Sequence, residues 1–352
     1  MRGDEQMKPI SINNIADKIK TLMYDARTES AIELNNRLLR TYWEIGCVIV
    51  EHEQSGKIKA EYGSRLLIEL SKALTNELGR GFSRSNLQNM RNFYLAYPNL
   101  PDATGKLSWS HYCELICVSD ADARAFYEQE CLNSRWSVRE LKRQINTSLF
   151  ERLLLSGGKT NKETVLELSR QGIAMTQPQD ILRNPYVFEF LGVPENKPML
   201  EKDLERKLIR HIEDFLLELG RGFMFVGSQQ RVTIGNIHYY VDMVFYNKIL
   251  KAYVLIDLKM DDLKPEHAGQ MNAYLNYYKT EINDDDDNPP VGIILCKTSK
   301  DVVAEYALGG LSNQVFASSY VYYIPNKDVL IEEVKSLLEQ ENDESEDKFN
   351  DE

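Results

Sequence analysis

The sequence of 352 residues predicts an α+β protein, with an all-helical N-terminal domain followed by a domain built on a mixed β-sheet. Two observations carry this prediction. From residue 10 to about 155, apolar residues recur at spacings of three and four, the periodicity of helices that bury one face. From Leu200 onward the pattern changes to a helix, three β-prone runs, a helix and a strand. This αβββαβ succession fits a mixed sheet flanked by helices.

The N-terminal domain, expected over residues 1–155, begins with three helices. A second helix runs from Ala31 to Glu53, and a third from Ser64 to Leu78. Gly79 stands where a glycine typically ends a helix. The first helix is opened by four apolar residues at helical spacing, Ile12, Ile15, Ile19 and Leu22.

A fourth helix begins at a serine cap, Ser83 or Ser85, and ends at Pro98. With the third helix it has the spacing of a helix-turn-helix. Its outward face carries residue types that contact base edges and phosphates. We therefore expect DNA binding by Arg84, Gln88, Asn89, Arg91 and Asn92. Helix pairs of this kind also occur in proteins that bind no nucleic acid, and an assembly domain is the alternative to a DNA-binding one.

Further helices are expected at Trp109–Val118 and Asp122–Asn133, and from a capping box at Ser137 and Glu140 to about Leu155. The last helix carries basic residues that suit either a solvated face or phosphate contacts, namely Arg139, Lys142, Arg143 and Arg152. A glycine-containing linker is expected over residues 156–185, and the part that reaches about Asn184 is expected to contain a connecting helix and a loop.

The second domain is expected over residues 186–340. Its first helix runs from Leu200 to Leu219, and Gly220 ends it. A first strand runs from Phe223 to about Val232, and a helix from Glu266 to Lys279 follows the next two strands. The remaining elements are a strand at Val291–Cys296, a helix at Val302–Leu308, a strand at Val315–Tyr323 and a helix at Asp328–Glu339.

The net charge of −12 comes from two acidic segments. Eight acids and one lysine lie in residues 339–352, and five acids lie in residues 281–288. The rest of the chain is neutral, so the net charge does not exclude a nucleic-acid partner. We expect a disordered acidic tail at 341–352. No apolar run is long enough for a membrane span or a secretory signal, which predicts a cytoplasmic protein with no membrane partner.

Two β-prone runs each contain a carboxylate. Asp242 lies within residues 239–246, and Asp257 lies within 252–259, two residues before Lys259. Because side chains alternate along a strand, Asp257 and Lys259 project from the same face. A buried carboxylate is costly unless it is paired or bound to a metal. The pattern predicts a divalent-metal site for phosphodiester chemistry, and an ordinary ion pair between Asp257 and Lys259 is the alternative.

The order of these strands and of the helix that bears Gln270 resembles the core of the PD-(D/E)XK nucleases. Among these nucleases, the amino-acid sequence is similar to that of the YhcG-type family of bacterial proteins. This similarity covers nearly the whole chain. It is carried in the second half by residues 223–231 (FMFVGSQQR), 240–246 (YVDMVFY), 256–259 (IDLK), 264–277 (KPEHAGQMNAYLNY) and 289–296 (PPVGIILC), and in the first half by 87–98 (LQNMRNFYLAYP), 107–112 (LSWSHY) and 136–145 (WSVRELKRQI).

The resemblance implies a restriction-endonuclease-like domain and a role for each site residue. Asp242 and Asp257 would bind Mg²⁺, or Mn²⁺ in its place. Lys259 would lie beside the attacking water, and Gln270 would bind the phosphate or a metal-bound water. Tyr274 would support the same face, although a plain core position explains it equally well.

Nucleases of this type often add a glutamate from the first helix of the core. Four are available, Glu201, Glu205, Glu213 and Glu218. Glu205 shares a stripe with Ile209 and Ile212 and so faces inward, which favours it over Glu213. Gln229, Gln230 and Arg231, on the preceding strand, fit either an approach to substrate or a solvated strand end.

The expected function is that of a metal-dependent deoxyribonuclease in DNA processing, repair, recombination or defence. An alternative is a nucleic-acid-binding or scaffolding protein with an idle nuclease fold, and another is a ribonuclease. The partner is expected to be DNA, with RNA left open, and a homo-oligomer is compatible with the sequence.

Overall fold

The computed structural model describes residues 12–55, 60–99, 106–156, 162–194, 199–297 and 314–336. It confirms the α+β class, with helices first and a six-stranded mixed sheet later in the chain. The chain divides into two compact units, Met1–Arg124 and Ala125–Glu352. Within the described ranges, none of the helices combines the length and apolar character needed to cross a membrane.

The first unit contains helices α1 (Ile12–Ser55), α2 (Ala60–Leu78), α3 (Arg84–Ala96) and α4 (Trp109–Leu115). Helix α5 (Ala121–Ser134) spans the division between the units. The first two helices expected from the sequence are one helix of 44 residues. The segment 23–30 contains no glycine or proline, so nothing interrupts the helix there.

Helices α2 and α3 are joined by a short turn, as the sequence predicts. Gly79, with φ +83°, follows α2, and the Ser83 side chain caps α3 by accepting a hydrogen bond from the backbone N–H of Asn86. Leu87 and Met90 of α3 are completely buried. A Cβ atom at Gly46 of α1 would lie 2.1 Å from the Met90 carbonyl oxygen, so this glycine permits the close approach of α1 and α3.

The second unit begins with more helices than the sequence predicts. The capping box of Ser137 and Glu140 is confirmed and starts α6 (Val138–Asn146). The expected single helix ends at Thr147, because Ser148 adopts a left-handed φ of +53° before α7 (Leu149–Ser156) begins. Helix α8 (Lys162–Gln171) lies in the linker region, where the sequence predicts a connecting helix. Both α6 and α7 lie in this unit.

Two of the four basic residues of this region lie in a buried ionic cluster instead of on a solvated or phosphate-contacting face. The Arg152 side chain is fully buried, 2.5 Å from Glu218, which Arg143 approaches to 3.1 Å. Arg183 also faces Glu218, and Glu189 pairs with Arg143 at 2.8 Å. Burial opposes ionisation of Glu218, but the guanidinium groups outweigh burial and lower the pKa of Glu218 to about 2.

The sheet has the strand order β1-β6-β5-β4-β3-β2. Strands β1, β6, β5 and β4 are mutually parallel, and β4, β3 and β2 are antiparallel. Their bounds are β1 (Tyr186–Val187), β2 (Phe223–Ile234), β3 (Ile237–Asn247), β4 (Ala252–Leu258), β5 (Val291–Cys296) and β6 (Val315–Val321).

Helices cover both faces of the sheet. The predicted helix at 200–219 is two helices, α9 (Glu201–Arg210) and α10 (Ile212–Leu219), and residues such as Leu204 and Phe215 build a core with one sheet face. On the other face lies α11 (Pro265–Tyr277), which continues as a π-helical turn to Ile282. A final helix, α12, covers residues 327–336. The predicted helix at 302–308 and the acidic tail at 341–352 lie outside the described residues.

Candidate active site

The two strand carboxylates lie side by side where β3 and β4 separate. The antiparallel register pairs Met243 with Ile256, which places Asp242 opposite Asp257. Asp257 is buried, with 1% of its surface exposed. Beyond the last paired residues, the backbone N–H of Leu258 donates a hydrogen bond of 2.8 Å to Asp242 Oδ2. The Asp242 carboxylate therefore takes the place of a backbone acceptor at the point where the ladder ends.

Lys259 adds a cation to this pair. Its Nζ lies 2.8 Å from Asp257 Oδ2 and 3.7 Å from Glu201 Oε1. Burial opposes the charge on the amine, but the neighbouring carboxylates outweigh burial and raise the pKa of Lys259. The ion pair between Asp257 and Lys259 is therefore present, and two further acids, Asp242 and Glu201, lie close to it. Lys259 remains protonated, which suits a group that binds negative charge.

The carboxylates hold more negative charge than one lysine neutralises. Burial, with the adjacent Asp257 as the next cause, raises the pKa of Asp242 to about 6. Burial also raises the pKa of Asp257, although Lys259 opposes the shift. Burial raises the pKa of Glu201 as well, and nearby Asp242 adds to the effect. An additional cation would relieve this repulsion.

Helix α9 contributes two glutamates. Glu205, favoured from the sequence, is buried with 9% exposure and lines a cleft that also contains Asp242. The sequence did not select Glu201, yet it stands four residues earlier on the same helix face, a spacing that could have identified it. Glu213 is exposed, and Glu218 belongs to the ionic cluster.

Gln229 of β2 connects two of these carboxylates. Its Nε2 donates a hydrogen bond of 3.1 Å to Asp242 Oδ1. Burial raises the pKa of Glu205, and a hydrogen bond from Gln229 partly offsets that shift. The backbone of Gln229 has φ +49°, a left-handed conformation in the middle of a strand. No pattern in the sequence signals such a conformation, so sequence reasoning left this residue undecided.

Gln270 and Tyr274 of α11 contact each other. The Gln270 side chain donates to Tyr274 Oη, which in turn donates to the Tyr240 carbonyl oxygen at 3.2 Å. Burial chiefly raises the pKa of Tyr274, and the charge of Asp257 contributes. Tyr274 is thus a buried core residue within the electrostatic reach of the site. Among the described residues, no hydrogen bond joins Gln270 to an acid of the site.

An open cleft of about 630 Å³ gives access to the acids from the α9 side. Its walls come from α9, from the irregular part of β2 and from β3. The lining side chains include two cations, and the complete set is Glu201, Lys202, Glu205, Arg206, Ile209, Ser228, Gln229 and Asp242.

The donor set fits a hard divalent cation. Asp257 Oδ2 is buried and accepts no well-aligned hydrogen bond within the described part of the chain, although Lys259 lies beside it. Asp242 offers a second carboxylate, and Mg²⁺ commonly uses one or two carboxylates with waters and substrate oxygens. No group of three or more histidine, cysteine or acidic ligands converges among the described residues, so a cage made entirely of protein ligands is absent there.

The five residues expected to bind DNA lie on α3, in the first unit. Arg84 is exposed and the other four are half-buried. Arg91 pairs with Glu53 of α1 at 2.8 Å, Gln88 donates to Asn92, and Asn89 contacts Cys113. The structure therefore places one of the five, Arg84, openly in solvent and holds the others in contacts within the unit.

Comparisons with known proteins agree with the resemblance read from the sequence. A family model described as the YhcG PDDEXK nuclease domain matches residues 179–338, and one described as the DUF1016 N-terminal domain matches residues 18–152. An Escherichia coli (strain K12) protein named "Putative nuclease YhcG" is 39% identical in an alignment of 361 positions, which covers 93% of this chain and 95% of that protein.

Among solved structures, a repair endonuclease from Pyrococcus abyssi aligns with a TM-score of 0.25 and 16% identity, over 38% of this chain and 50% of that chain. This likeness is too low to carry an argument. The two family models match most of the chain, and the Escherichia coli relative is similar over nearly all of it. These matches show that the chain belongs to the YhcG-type family of PD-(D/E)XK nucleases.

Proposed function

We propose that this chain is a metal-dependent deoxyribonuclease that hydrolyses phosphodiester bonds at the group formed by Asp242, Asp257 and Lys259. One observation carries the proposal: two carboxylates and a protonated lysine lie together at the end of β4. Asp242 is half-buried, Asp257 is buried, and Lys259 lies 2.8 Å from Asp257. Glu201 and Glu205 add further acids on the cleft side. Because these carboxylates repel an anionic phosphodiester, the arrangement suits a substrate whose phosphate is bound together with a metal cation.

Asp242 and Asp257 would hold Mg²⁺, with Mn²⁺ as a substitute. When bound, the cation supplies a Lewis acid that lowers the pKa of a bound water and stabilises charge on the phosphate oxygens. The chain's own residues orient these partners. Leu258 N–H and Gln229 fix the Asp242 carboxylate from two sides. Their hydrogen bonds leave the carboxylate little freedom to rotate.

Lys259 would stabilise the negative charge that develops on the phosphate. Its raised pKa keeps the ammonium group charged, so it acts as an electrostatic partner and not as a general base. Glu205 would accept a hydrogen bond from the water that attacks or from a water bound to the metal. Gln270 would bind the phosphate after its side chain leaves Tyr274.

DNA is proposed as the substrate because Arg84 of α3 provides an exposed cation at a helix-turn-helix-like pair, in addition to the cleft cations Lys202 and Arg206. The other four residues of the α3 set would have to exchange their present contacts for DNA. RNA offers the same phosphodiester and is the competing substrate in the test below.

The test is incubation of the purified protein with supercoiled, linear, branched and single-stranded DNA, and with RNA of the same sequence. Each reaction is run with Mg²⁺, with Mn²⁺ and with EDTA, alongside an Asp257→Asn variant as the matched control. We expect DNA products that require metal and disappear in the variant. Products that persist in EDTA or in Asp257→Asn would contradict the site, and products from RNA alone would contradict the substrate.

A further inference from the structure

Part of the β2–β3 hairpin projects beyond the rest of the sheet. Strand β3 pairs with β2 along its whole length, but it pairs with β4 only from Met243 to Asn247. Residues 230–241, here called the projecting hairpin, therefore continue as a ribbon of two strands. Gly235 and Asn236 close it with φ values of +53° and +66°. A two-residue turn with both residues left-handed is the turn that matches the twist of paired strands.

One face of the projecting hairpin is covered by α11. Val232 and Val241 are completely buried in the core that α11 shares with the sheet. The Tyr239 ring meets the Tyr274 ring edge-on at a centroid distance of 6.4 Å. Val232 and Tyr239 are cross-strand partners, so their side chains lie on the same face. This face has a structural task.

The opposite face is open to solvent. It carries the cross-strand pairs Arg231 with Tyr240 and Thr233 with His238. Side chains alternate along each strand, so these four point away from α11. Tyr240 is 49% exposed, and Arg231 is exposed and forms no ion pair with any residue that the structure describes. Within the described ranges of the chain, no packing contact accounts for this exposed ring beside an unpaired guanidinium group.

This open face leads directly to the candidate active site. Tyr240 lies two residues before Asp242, a distance of about 7 Å along a strand. Gln229, at the base of the same open hairpin strand, donates its amide hydrogen bond to Asp242. If a nucleic-acid strand is cleaved at Asp242, a nucleotide next to the cleaved bond would lie against this open face.

We propose that the projecting hairpin binds unpaired bases of a nucleic-acid strand beside the candidate active site, with Tyr240 stacking on a base and Arg231 neutralising a phosphate. The inference rests on the proposed function and specifies its substrate as single-stranded or branched nucleic acid. Aromatic rings stack on bases whose faces are free, and arginine follows the backbone. In a continuous duplex the base faces are covered by their neighbours.

The experiment measures binding without cleavage, in the full-length Asp257→Asn protein. The probe is a fluorescent oligothymidine strand, and a duplex of the same length is measured in parallel. Tyr240→Ala should weaken oligothymidine binding by about fivefold or more, the loss expected when one stacked base loses its ring. Tyr240→Phe, which retains the ring, should bind as tightly as the parent. Tyr323→Ala is the matched control, since Tyr323 is 45% exposed in the same unit.

Arg231→Ala should weaken binding and reduce the slope of log affinity against log salt by about 0.7 for a single strand. Duplex binding should change little in Tyr240→Ala. If Tyr240→Ala is poorly folded by circular dichroism, Tyr240→Leu, compared with Tyr240→Phe, gives the same contrast. An equal loss for duplex and single strand would overturn the assignment to unpaired bases.

Two outcomes separate this inference from the proposed function. If protein with Asp257 intact cleaves DNA, and Tyr240→Ala binds oligothymidine and cleaves as well as the wild type, the hairpin assignment is wrong and the nuclease function stands. If the wild-type protein neither binds nor cleaves any of these nucleic acids, both are wrong.

Discussion

Gln229 donates its side-chain amide to Asp242 at 3.1 Å, from a backbone position with φ +49°. The strand pairs on either side, Ser228 with Met243 and Gln230 with Val241, place it opposite Asp242. A non-glycine residue in this conformation costs free energy that its surroundings must offset. Gln229 lies between the carboxylates of Asp242 and Glu205 and so holds both in place.

Gln229→Ala should therefore lower the rate of metal-dependent cleavage by roughly tenfold to a hundredfold, the equivalent of a hydrogen bond to a charged group. Single-turnover rates at saturating metal would measure the effect. Gln230→Ala is the control, because the Gln230 amide contacts the Ser228 carbonyl oxygen and not an acid. Equal rates in the two variants would remove Gln229 from the site.

Lys259→Ala should reduce cleavage by orders of magnitude while leaving Mn²⁺ affinity nearly unchanged. The reason is that the ammonium group lies beside the carboxylates without being a metal ligand. Calorimetric titration with Mn²⁺ and a cleavage assay on the same preparation separate the two effects. Lys248→Ala, an exposed lysine between β3 and β4 that does not line the cleft, is the matched control. A variant that loses metal affinity as well as activity would show that Lys259 organises the carboxylates.

Glu218→Gln should destabilise the protein at neutral pH by about 3 kcal/mol, because it leaves buried guanidinium groups without their carboxylate. The pKa of Glu218 is lowered from 4.5 to about 2 in the folded protein. Its stabilising contribution is fully present above pH 4.5 and is lost as the pH falls toward 2. Urea unfolding of both proteins at several pH values should show the difference shrinking in acid. Glu213→Gln, on the exposed face of α10, is the matched control.

A fragment of residues 125–352 should fold, and a fragment of residues 179–352 should not. The shorter fragment keeps Glu218 and Arg183 but lacks Arg143 and Arg152, which hold Glu218 from α6 and α7. Circular dichroism and thermal melting of the two fragments would measure this. Cooperative unfolding of the shorter fragment, at the same temperature as the longer one, would show that the cluster is dispensable.

Arg84→Ala should weaken DNA binding and reduce the slope of log affinity against log salt by about one unit for each phosphate that the protein no longer neutralises. Arg91→Ala should act mainly on the stability of the first unit, since Arg91 already pairs with Glu53. Binding titrations over a salt series, with thermal melts of both variants, distinguish the two roles. Identical salt slopes in wild type and Arg84→Ala would contradict a DNA-binding role for α3.

The sequence was sufficient for what depends on periodicity and residue type. A serine cap for α3, the succession of β2, β3 and β4 along the chain and the positions of Asp242 and Asp257 on β3 and β4 follow from local pattern, with Lys259 one residue beyond β4. Tertiary contacts decided the rest. Arg152 looks like a surface cation until its carboxylate partner, 66 residues away, is known. The left-handed backbone of Gln229 and Ser148 depends on the surrounding structure. Neither glutamine nor serine strongly prefers a positive φ, so the sequence does not predict it.

The irregular backbone of β2 has one more consequence, for the behaviour of the molecule at high concentration. Strand β2 is an edge of the sheet and exposes three consecutive apolar side chains, Met224, Phe225 and Val226. A regular edge of this kind invites a strand from another molecule and leads to aggregation. The register shift between Phe225 and Gly227, followed by the left-handed Gln229, interrupts the row of free N–H and C=O groups. The distortion that aims an amide at Asp242 therefore also protects the edge against intermolecular β-pairing.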